Sequence, residues 1–320
     1  MKQGVLLSIL IPTYNGASKF LDETLKSIIE GVKLCDEGLI EVILSNNAST
    51  DNTLELLKQY KEYSFIRYYS NDINIGSARN IIKLTDEYAL GEFGWVIGDD
   101  DLINPSAMPT IVEVLKKNTL DYLSVGFSFI LDRNYTFYNG NYVINYSSFA
   151  KAIDRWKPGN VLGTFMSSAI VRLSLFKQVP KDNITPKFDT FQSIFPNAYV
   201  NATAFHDKKC AFIREDVVLS FVHEKDWESS DNTYMIVTRI VPALYQYIVS
   251  LGVSEKELSV VQKLIIYRAV LDGYIRIIRG KHIDCLFWQI WRKSLMFPSV
   301  HLKVVKFFAN SFVRKIKGHK

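Results

Sequence analysis

Over the first 130 residues, short apolar runs alternate with amphipathic stretches. Val5 to Ile11 is apolar except at Ser8, ends at Pro12, and predicts a buried strand. Phe20, Leu21, Thr24, Leu25, Ile28, Ile29 and Val32 recur at three- and four-residue spacing and predict a helix. Glu41–Leu44, Ile66–Tyr69 and Trp95–Ile97 read as the next three strands. Leu54, Leu57 and Tyr60 mark a helix between the first two of these. Ala78, Ile81, Ile82, Thr85 and Ala89 mark another before the last. Such alternation predicts an α/β fold, with a largely parallel sheet and helices on both faces. Ligands of such sheets bind beyond the carboxyl ends of the strands.

After residue 120 the pattern changes. Asp121–Leu131 reads as a longer strand, and Tyr135–Tyr146 as a hairpin turning at Asn139-Gly140, a pair suited to a type I′ turn. Residues 180–235 are irregular and rich in Pro, Asp, Asn and aromatics, and from about Thr233 the chain is mainly helical. The organisation expected is one α/β domain over 1–232, in halves 1–115 and 116–232, then a helical region over 233–320.

Four polar clusters follow the four predicted strands. The last is Gly98-Asp99-Asp100-Asp101. In an extended strand end, residues i and i+2 face one side, so Asp99 and Asp101 are expected to converge. Adjacent carboxylates repel unless a cation or proton compensates them, and hard divalent ions prefer such oxygens. A solvated turn is the plainer alternative. The first cluster, Pro12-Thr13-Tyr14-Asn15, offers side chains that could stack on or bond to a base, though Pro and Asn also make simple turns. In Ser45–Asn52, Thr50, Asp51 or Asn52 can cap the next helix, while Asn46 and Asn47 sit at the strand tip. Asn74–Asn80 opens a helix with Gly76 and with Arg79, a fork suited to phosphate oxygens.

Together these segments resemble the family 2 inverting glycosyltransferases of GT-A fold, a Rossmann-like nucleotide-binding sheet. The resemblance runs over residues 5–115, about a third of the chain, through Leu7–Asn15, Asn46–Asp51, Asn74–Asn80 and Gly98–Asp101. The Trp-Val-Ile-Gly-Asp-Asp-Asp form is similar to an abequosyltransferase-like subgroup of surface-polysaccharide enzymes. The resemblance implies that residues 1–115 hold a nucleotide-sugar donor and 116–232 the acceptor. Pro12, Thr13, Tyr14 and Asn15 would border the nucleoside, Asn46 or Asn47 would contact the base, and Arg79 would support the nucleotide side. Asp99, Asp100 and Asp101 would form the DxD element, with Asp101 first and Asp99 second as ligands of Mn²⁺ or Mg²⁺. The family usually carries Asp where this chain has Asn46, which keeps UDP as the expected nucleotide but admits others. The implied reaction is transfer of the sugar to an acceptor hydroxyl with inversion, in capsule or O-antigen assembly.

A base for the acceptor proton is less legible. The family often places it in a Glu-Asp pair, and none occurs between residues 150 and 210. Asp189 is the choice here, against His206, Glu215-Asp216 and His223-Glu224.

Composition and charge refine the picture. Hydrophobic residues at 48% and charged residues at 22% fit a globular chain. Cys35, Cys210 and Cys285 are scattered, which suggests reduced thiols rather than a disulfide framework or zinc site. No signal peptide or stretch of about 20 apolar residues is evident, so a cytoplasmic location is expected. The net charge of +5 hides an asymmetry: residues 261–320 hold 13 Lys and Arg against Asp272 and Asp284. There Leu302, Val305, Phe308, Ala309, Phe312, Val313 and Ile316 form an apolar helical stripe, with Lys303, Lys306, Arg314 and Lys317 largely off it. That pattern suits peripheral contact with the inner face of an anionic membrane, where a lipid-linked glycan acceptor would reside, and equally an ordinary packed helix. No nucleic-acid motif accompanies the basic tail. The competing classes are a sugar nucleotidyltransferase, which needs a Gly-rich basic loop that Pro12–Gly16 does not supply, and a non-catalytic carbohydrate-binding protein.

Overall fold

In a computed structural model of the chain, residues 4–130, 135–153, 162–185, 189–221 and 234–317 are described, with only the backbone for 311–317. Two compact units emerge, Met1–His223 and Glu224–Lys320.

The first unit is built on one mixed sheet. Strands β1 (Leu7–Thr13), β2 (Ile40–Asn46), β3 (Ile66–Ser70) and β4 (Phe93–Val96) pair in parallel in the order β3-β2-β1-β4. Helices α1 (Leu21–Val32), α2 (Thr53–Gln59) and α3 (Ser77–Lys83, prolonged by a π-turn over Leu84–Tyr88) connect them. Except at Pro12, β1 is buried throughout, and β2 is buried along its whole length, as expected of central parallel strands covered on both faces. Leu21, Thr24, Leu25, Ile28 and Ile29 of α1 are all buried, and Asp22 and Glu23 lie in its first turn, where the helix dipole favours acids.

Beyond β4 the sheet is mixed. The remaining strands are β5 (Asp101–Ile103), β6 (Tyr122–Ile130), β7 (Ile144–Ser147), β8 (Ala169–Arg172) and β9 (Cys210–Phe221). Strand β8 pairs antiparallel with both β4 and β6. Strand β9 then runs parallel to β6 and antiparallel to β5 and β7. The expected hairpin over Tyr135–Tyr146 does not form. Gly140 is not among the residues with positive φ, and Ile144–Ser147 pair with Cys210–Ile213 instead, a partner over 60 residues away. Helix α4 (Met108–Lys116) follows β5, and α5 (Phe149–Ile153), α6 (Leu173–Gln178), α7 (Phe191–Ile194) and α8 (Pro196–Phe205) complete the unit.

The second unit is helical where described. A π-turn over Ile236–Ile240 leads into α9 (Val241–Ser250), followed by α10 (Ser259–Ile278), α11 (Cys285–Ser294) and α12 (Pro298–Lys317). Val300 and Val304 of α12 are buried and pack with Ile266, Val270 and Leu271, joined by half-buried Phe308. Leu302 and Val305 are 71% and 66% exposed. The buried valines thus lie off the expected apolar stripe, of which Phe308 is half-buried against them while Leu302, Val305 and Ala309 are exposed. Among the described residues, no helix is long and apolar enough to cross a membrane.

Candidate active site

The carboxyl ends of β1, β2 and β4 lie side by side because parallel pairing sets Thr13 opposite Asn46 and Leu10 opposite Val96. The Ile97 N–H still donates to Leu10 O at 2.9 Å, and the chain then turns, with Asp101 N–H returning to Gly98 O at 3.2 Å. This turn replaces the extended strand end on which the expected convergence of Asp99 and Asp101 was argued. Extended structure stops at Val96, so the three carboxylates do not alternate as strand residues do.

Asp99 points to the end of β1. It accepts from Thr13 Oγ1 at 2.7 Å and lies 3.9 Å from Lys19 Nζ, a cation of the β1–α1 loop that the motifs did not single out. Gly16 runs against this pair, since a Cβ there would meet Thr13 Oγ1 at 2.3 Å and Asp99 Oδ2 at 3.0 Å. Asp100 and Asp101 converge instead over Gly98, whose added Cβ would lie 2.9 Å from Asp100 Oδ1 and 2.7 Å from Asp101 Oδ2.

Asp101 is buried, at 2% exposure. Ser167 Oγ donates to its Oδ2 and accepts from the Gly98 N–H at 3.0 Å, while the Ser167 carbonyl accepts from Trp95 Nε1 at 2.8 Å. Ser220, opposite Asp101 in the β5–β9 register, adds a second hydroxyl. Burial first, then the charge of Asp100, raises the Asp101 carboxyl to about 7, with the Ser167 and Ser220 hydroxyls opposing that rise. Its Oδ1 is a buried acceptor with no hydrogen-bond partner among the described residues. An orphaned, proton-hungry carboxylate oxygen beside a second carboxylate suits a cation. No group of three His, Cys, Asp or Glu side chains able to hold a metal is assembled among the described residues. A two-carboxylate site of this kind fits an ion whose shell is completed by water and phosphate, the usual Mg²⁺ arrangement, rather than a closed protein cage.

The β1 and β2 loops are laced together. Asn15 N–H donates to Ser49 Oγ at 2.9 Å, Asn15 Oδ1 accepts from Thr50 N–H at 2.8 Å, and Ala17 N–H donates to Thr53 Oγ1 at 3.1 Å. Asn15 and Ala48 hold φ of 54° and 58°, a region tolerable for Asn but strained for Ala. Asp51 does accept from Thr53 N–H at 3.0 Å, ahead of α2.

Asn46 and Asn47 are buried, and their amides are engaged within the protein. Asn46 Oδ1 accepts from Ser49 N–H at 3.0 Å. Asn47 Oδ1 accepts from Ile75 N–H at 3.0 Å, and its Nδ2 donates to Asn74 Oδ1 at 2.8 Å. Behind them stands Asn80, at 1% exposure, which accepts from Ser45 Oγ at 2.6 Å and Asn71 Nδ2 at 2.9 Å. The signal for it was a polar residue beside Ala78 and Ile81 on the packed side of α3. Half-buried Pro12, exposed Tyr14 (41%) and exposed Arg79 remain as surfaces that a ligand could touch.

The proposed bases are dispersed. Asp189 is exposed just before α7, where Thr190 Oγ1 accepts from Ser193 N–H at 3.3 Å. His206 Nδ1 lies 3.2 Å from the carbonyls of Ala202 and Thr203, closing α8. Asp216 accepts from Ser128, and Glu215 accepts from Val143 N–H at 3.3 Å. His223 and Glu224 lie outside the described residues.

Comparison with known proteins gives this geometry a context. The family described as Glycosyl transferase family 2 matches residues 8–179. Abequosyltransferase RfbV of Salmonella typhimurium is 34% identical over 121 residues, 37% of this chain and 35% of that protein. The chain thus matches only about a third of this relative's length. Among solved structures, Staphylococcus aureus TarS 1–349 superposes with a TM-score of 0.56 at 15% identity, covering 91% of this chain and 79% of that one. The same protein in complex with UDP-GlcNAc gives 0.55 at 13% identity, covering 88% and 93%. At these identities the structures attest the fold.

Proposed function

Because the chain belongs to glycosyl transferase family 2, we propose that it transfers a sugar from a nucleoside-diphosphate sugar to an acceptor hydroxyl, with inversion, in bacterial surface-polysaccharide assembly. The observation that carries this reading is the Gly98–Asp101 turn, hydrogen-bonded through Asp99 to Thr13 at the mouth of the parallel strands. An α/β sheet binds nucleotides at that edge.

In this reading residues 1–115 form the donor half, 116–232 the acceptor half, and 233–320 a separate basic helical region. Pro12, Thr13, Tyr14 and Asn15 border the nucleoside. Asn46 and Asn47 shape the base pocket, and because their amides already hold the loops, base recognition falls to what they position. Arg79 and Lys19 supply positive charge to the diphosphate. Asp100 and Asp101 would hold Mn²⁺ or Mg²⁺, with Asp99 fixing the turn that presents them. When bound, the ion supplies electrostatic stabilisation of the departing diphosphate. The acceptor oxygen attacks the anomeric carbon, the bond to the diphosphate oxygen breaks, and the acceptor proton passes to a carboxylate, assigned to Asp189. The nucleoside diphosphate leaves. UDP is the first nucleotide to test, supported by the TarS complex with UDP-GlcNAc, although Asn46 departs from the family's Asp.

The exposed apolar face of α12, with Leu302 and Val305 beside Lys303 and Lys306, suits peripheral contact with an anionic membrane bearing a lipid-linked acceptor. Deleting α12 would also strip Val300 and Val304 from the core, so Leu302→Asp with Val305→Asp is the cleaner test. Equal sedimentation of wild type and this variant with anionic liposomes would remove the membrane assignment.

Incubation with UDP-, CDP-, GDP- and TDP-sugars and Mn²⁺ tests the reaction. Release of free nucleoside diphosphate supports transfer, pyrophosphate would identify a nucleotidyltransferase, and neither product would leave a carbohydrate binder. Asp189→Asn should lose turnover while keeping donor binding; retained turnover would reassign the base.

A further inference from the structure

Ser167 holds both ends of the Asp-rich turn from a distant part of the chain. Strand β8 pairs antiparallel with β4, setting Ile170 opposite Trp95. Continued past the paired residues, that register brings Ser167, in the 3₁₀ turn Met166–Ser168, alongside Gly98. The Gly98 N–H can only donate, so Ser167 Oγ accepts from it at 3.0 Å. The one hydroxyl proton goes to Asp101 Oδ2, on the residue whose own N–H closes the turn onto Gly98 O. A third bond runs from Trp95 Nε1 to the Ser167 carbonyl at 2.8 Å. All four residues are buried.

A buried hydroxyl is more often satisfied close to home. Ser168, next in the same turn, donates to the Phe165 carbonyl at 2.7 Å, three residues back. Ser167 instead directs both its donor and its acceptor to residues more than 60 positions earlier. The turn it comes from is itself anchored, since Phe165 packs on buried Phe127 with ring centroids 4.4 Å apart. The consequence falls on Asp100 and Asp101. Two carboxylates converging over Gly98 repel each other, and an unrestrained turn would relieve that by swinging them apart. The Ser167 bonds to Gly98 and Asp101 oppose this movement.

We propose, on the donor-site reading above, that Ser167 is a positioning residue: by clamping the two ends of the turn it keeps Asp100 and Asp101 converged for a divalent cation. Ser167 belongs to the acceptor half, 116–232, so a residue of one half sets the ion site of the other.

Calorimetry of the full chain with UDP, CDP, GDP and TDP, each with and without Mn²⁺, tests this on Ser167→Ala and Ser167→Cys. The thiol fills the same place but hydrogen-bonds only weakly. Where the ion tightens nucleotide binding to the wild type, both variants should cut that gain about tenfold or more, as expected for a hydrogen bond to a charged group. Affinity without the ion should not change. The Trp95 indole N–H resonance, assigned by its loss in Trp95→Phe, reports whether the turn is still in place and should not move. Ser168→Ala, as buried and in the same turn, should keep the full gain. A wild-type gain in both Ser167 variants would overturn the positioning role and leave the donor site standing. An indole resonance displaced in both would trace the loss to movement of the whole turn and overturn it too. No gain in the wild type would remove the donor-site reading, and the role of Ser167 with it.

Discussion

The hydroxyl of Thr13 donates to the carboxylate of Asp99 at 2.7 Å, across 86 residues of sequence. It fixes the Asp-rich turn to the neighbouring strand, and Gly16 leaves room for no larger side chain beside it. Thr13→Val keeps the shape and removes the donor. The expected result is a loss of about 1–3 kcal/mol in transition-state stabilisation, read as kcat/KM, because Asp99 loses its anchor. Unchanged kcat/KM would detach Asp99 from the site.

Gly98 carries the two other carboxylates over its Cα. A methyl group there would sit 2.7 Å from Asp101 Oδ2 and 2.9 Å from Asp100 Oδ1, closer than real Cβ contacts allow. Gly98→Ala should displace both and reduce turnover by more than about tenfold, or 1.4 kcal/mol. The melting temperature should fall only modestly, since the carboxylate ends can shift. Full activity would show that their convergence is immaterial.

Asp101 gives stability a pH dependence. Its folded-state ionisation is raised to about 7 from an ordinary value of 3.8, chiefly by burial and then by Asp100. The native state holds this proton over a range in which the unfolded chain has released it. The Asp101 contribution therefore favours folding fully below pH 3.8 and declines as pH rises to about 7, then stays level. Thermal unfolding of metal-free protein across this range should show a slope that Asp101→Asn reduces. Parallel curves for the two proteins would contradict it.

Ala48 occupies the left-handed region at φ 58°, between Asn47 and Ser49 in the β2 loop. Relief of that strain should make Ala48→Gly stabilising by roughly 0.5–1 kcal/mol in urea unfolding. A loss of stability would mean that the loop needs the methyl group more than it suffers from the backbone.

Apolar periodicity made β1 to β4 and their connecting helices legible, and with them the four strand-end clusters. What it could not show was where extension stops. Ending β4 at Val96 puts the aspartates in a turn, where Asp99 bonds to Thr13 and Asp101 to Ser167, with Asp100 and Asp101 both over Gly98. Ser167 and Ser220 were invisible for another reason: they meet Asp101 from 66 and 119 residues further along the chain, one from the turn before β8 and the other across the sheet, and nothing in their local sequence marks them. Asn46 and Asn47 were read as base contacts because they sit at a strand tip, yet buried amides must satisfy themselves first, and Asn71, Asn74 and Ser49 do so. The Asn139-Gly140 signal failed because β9 outcompeted a local partner for Ile144–Ser147.

Calorimetric titration with nucleoside diphosphates, in the presence and absence of Mn²⁺, addresses the donor site most directly. The wild-type protein should bind one of UDP, CDP, GDP or TDP at least about tenfold tighter with the ion, 1.4 kcal/mol, and Asp100→Asn with Asp101→Asn should abolish that gain. Nucleotide affinity that ignores both the ion and the two substitutions would contradict the account.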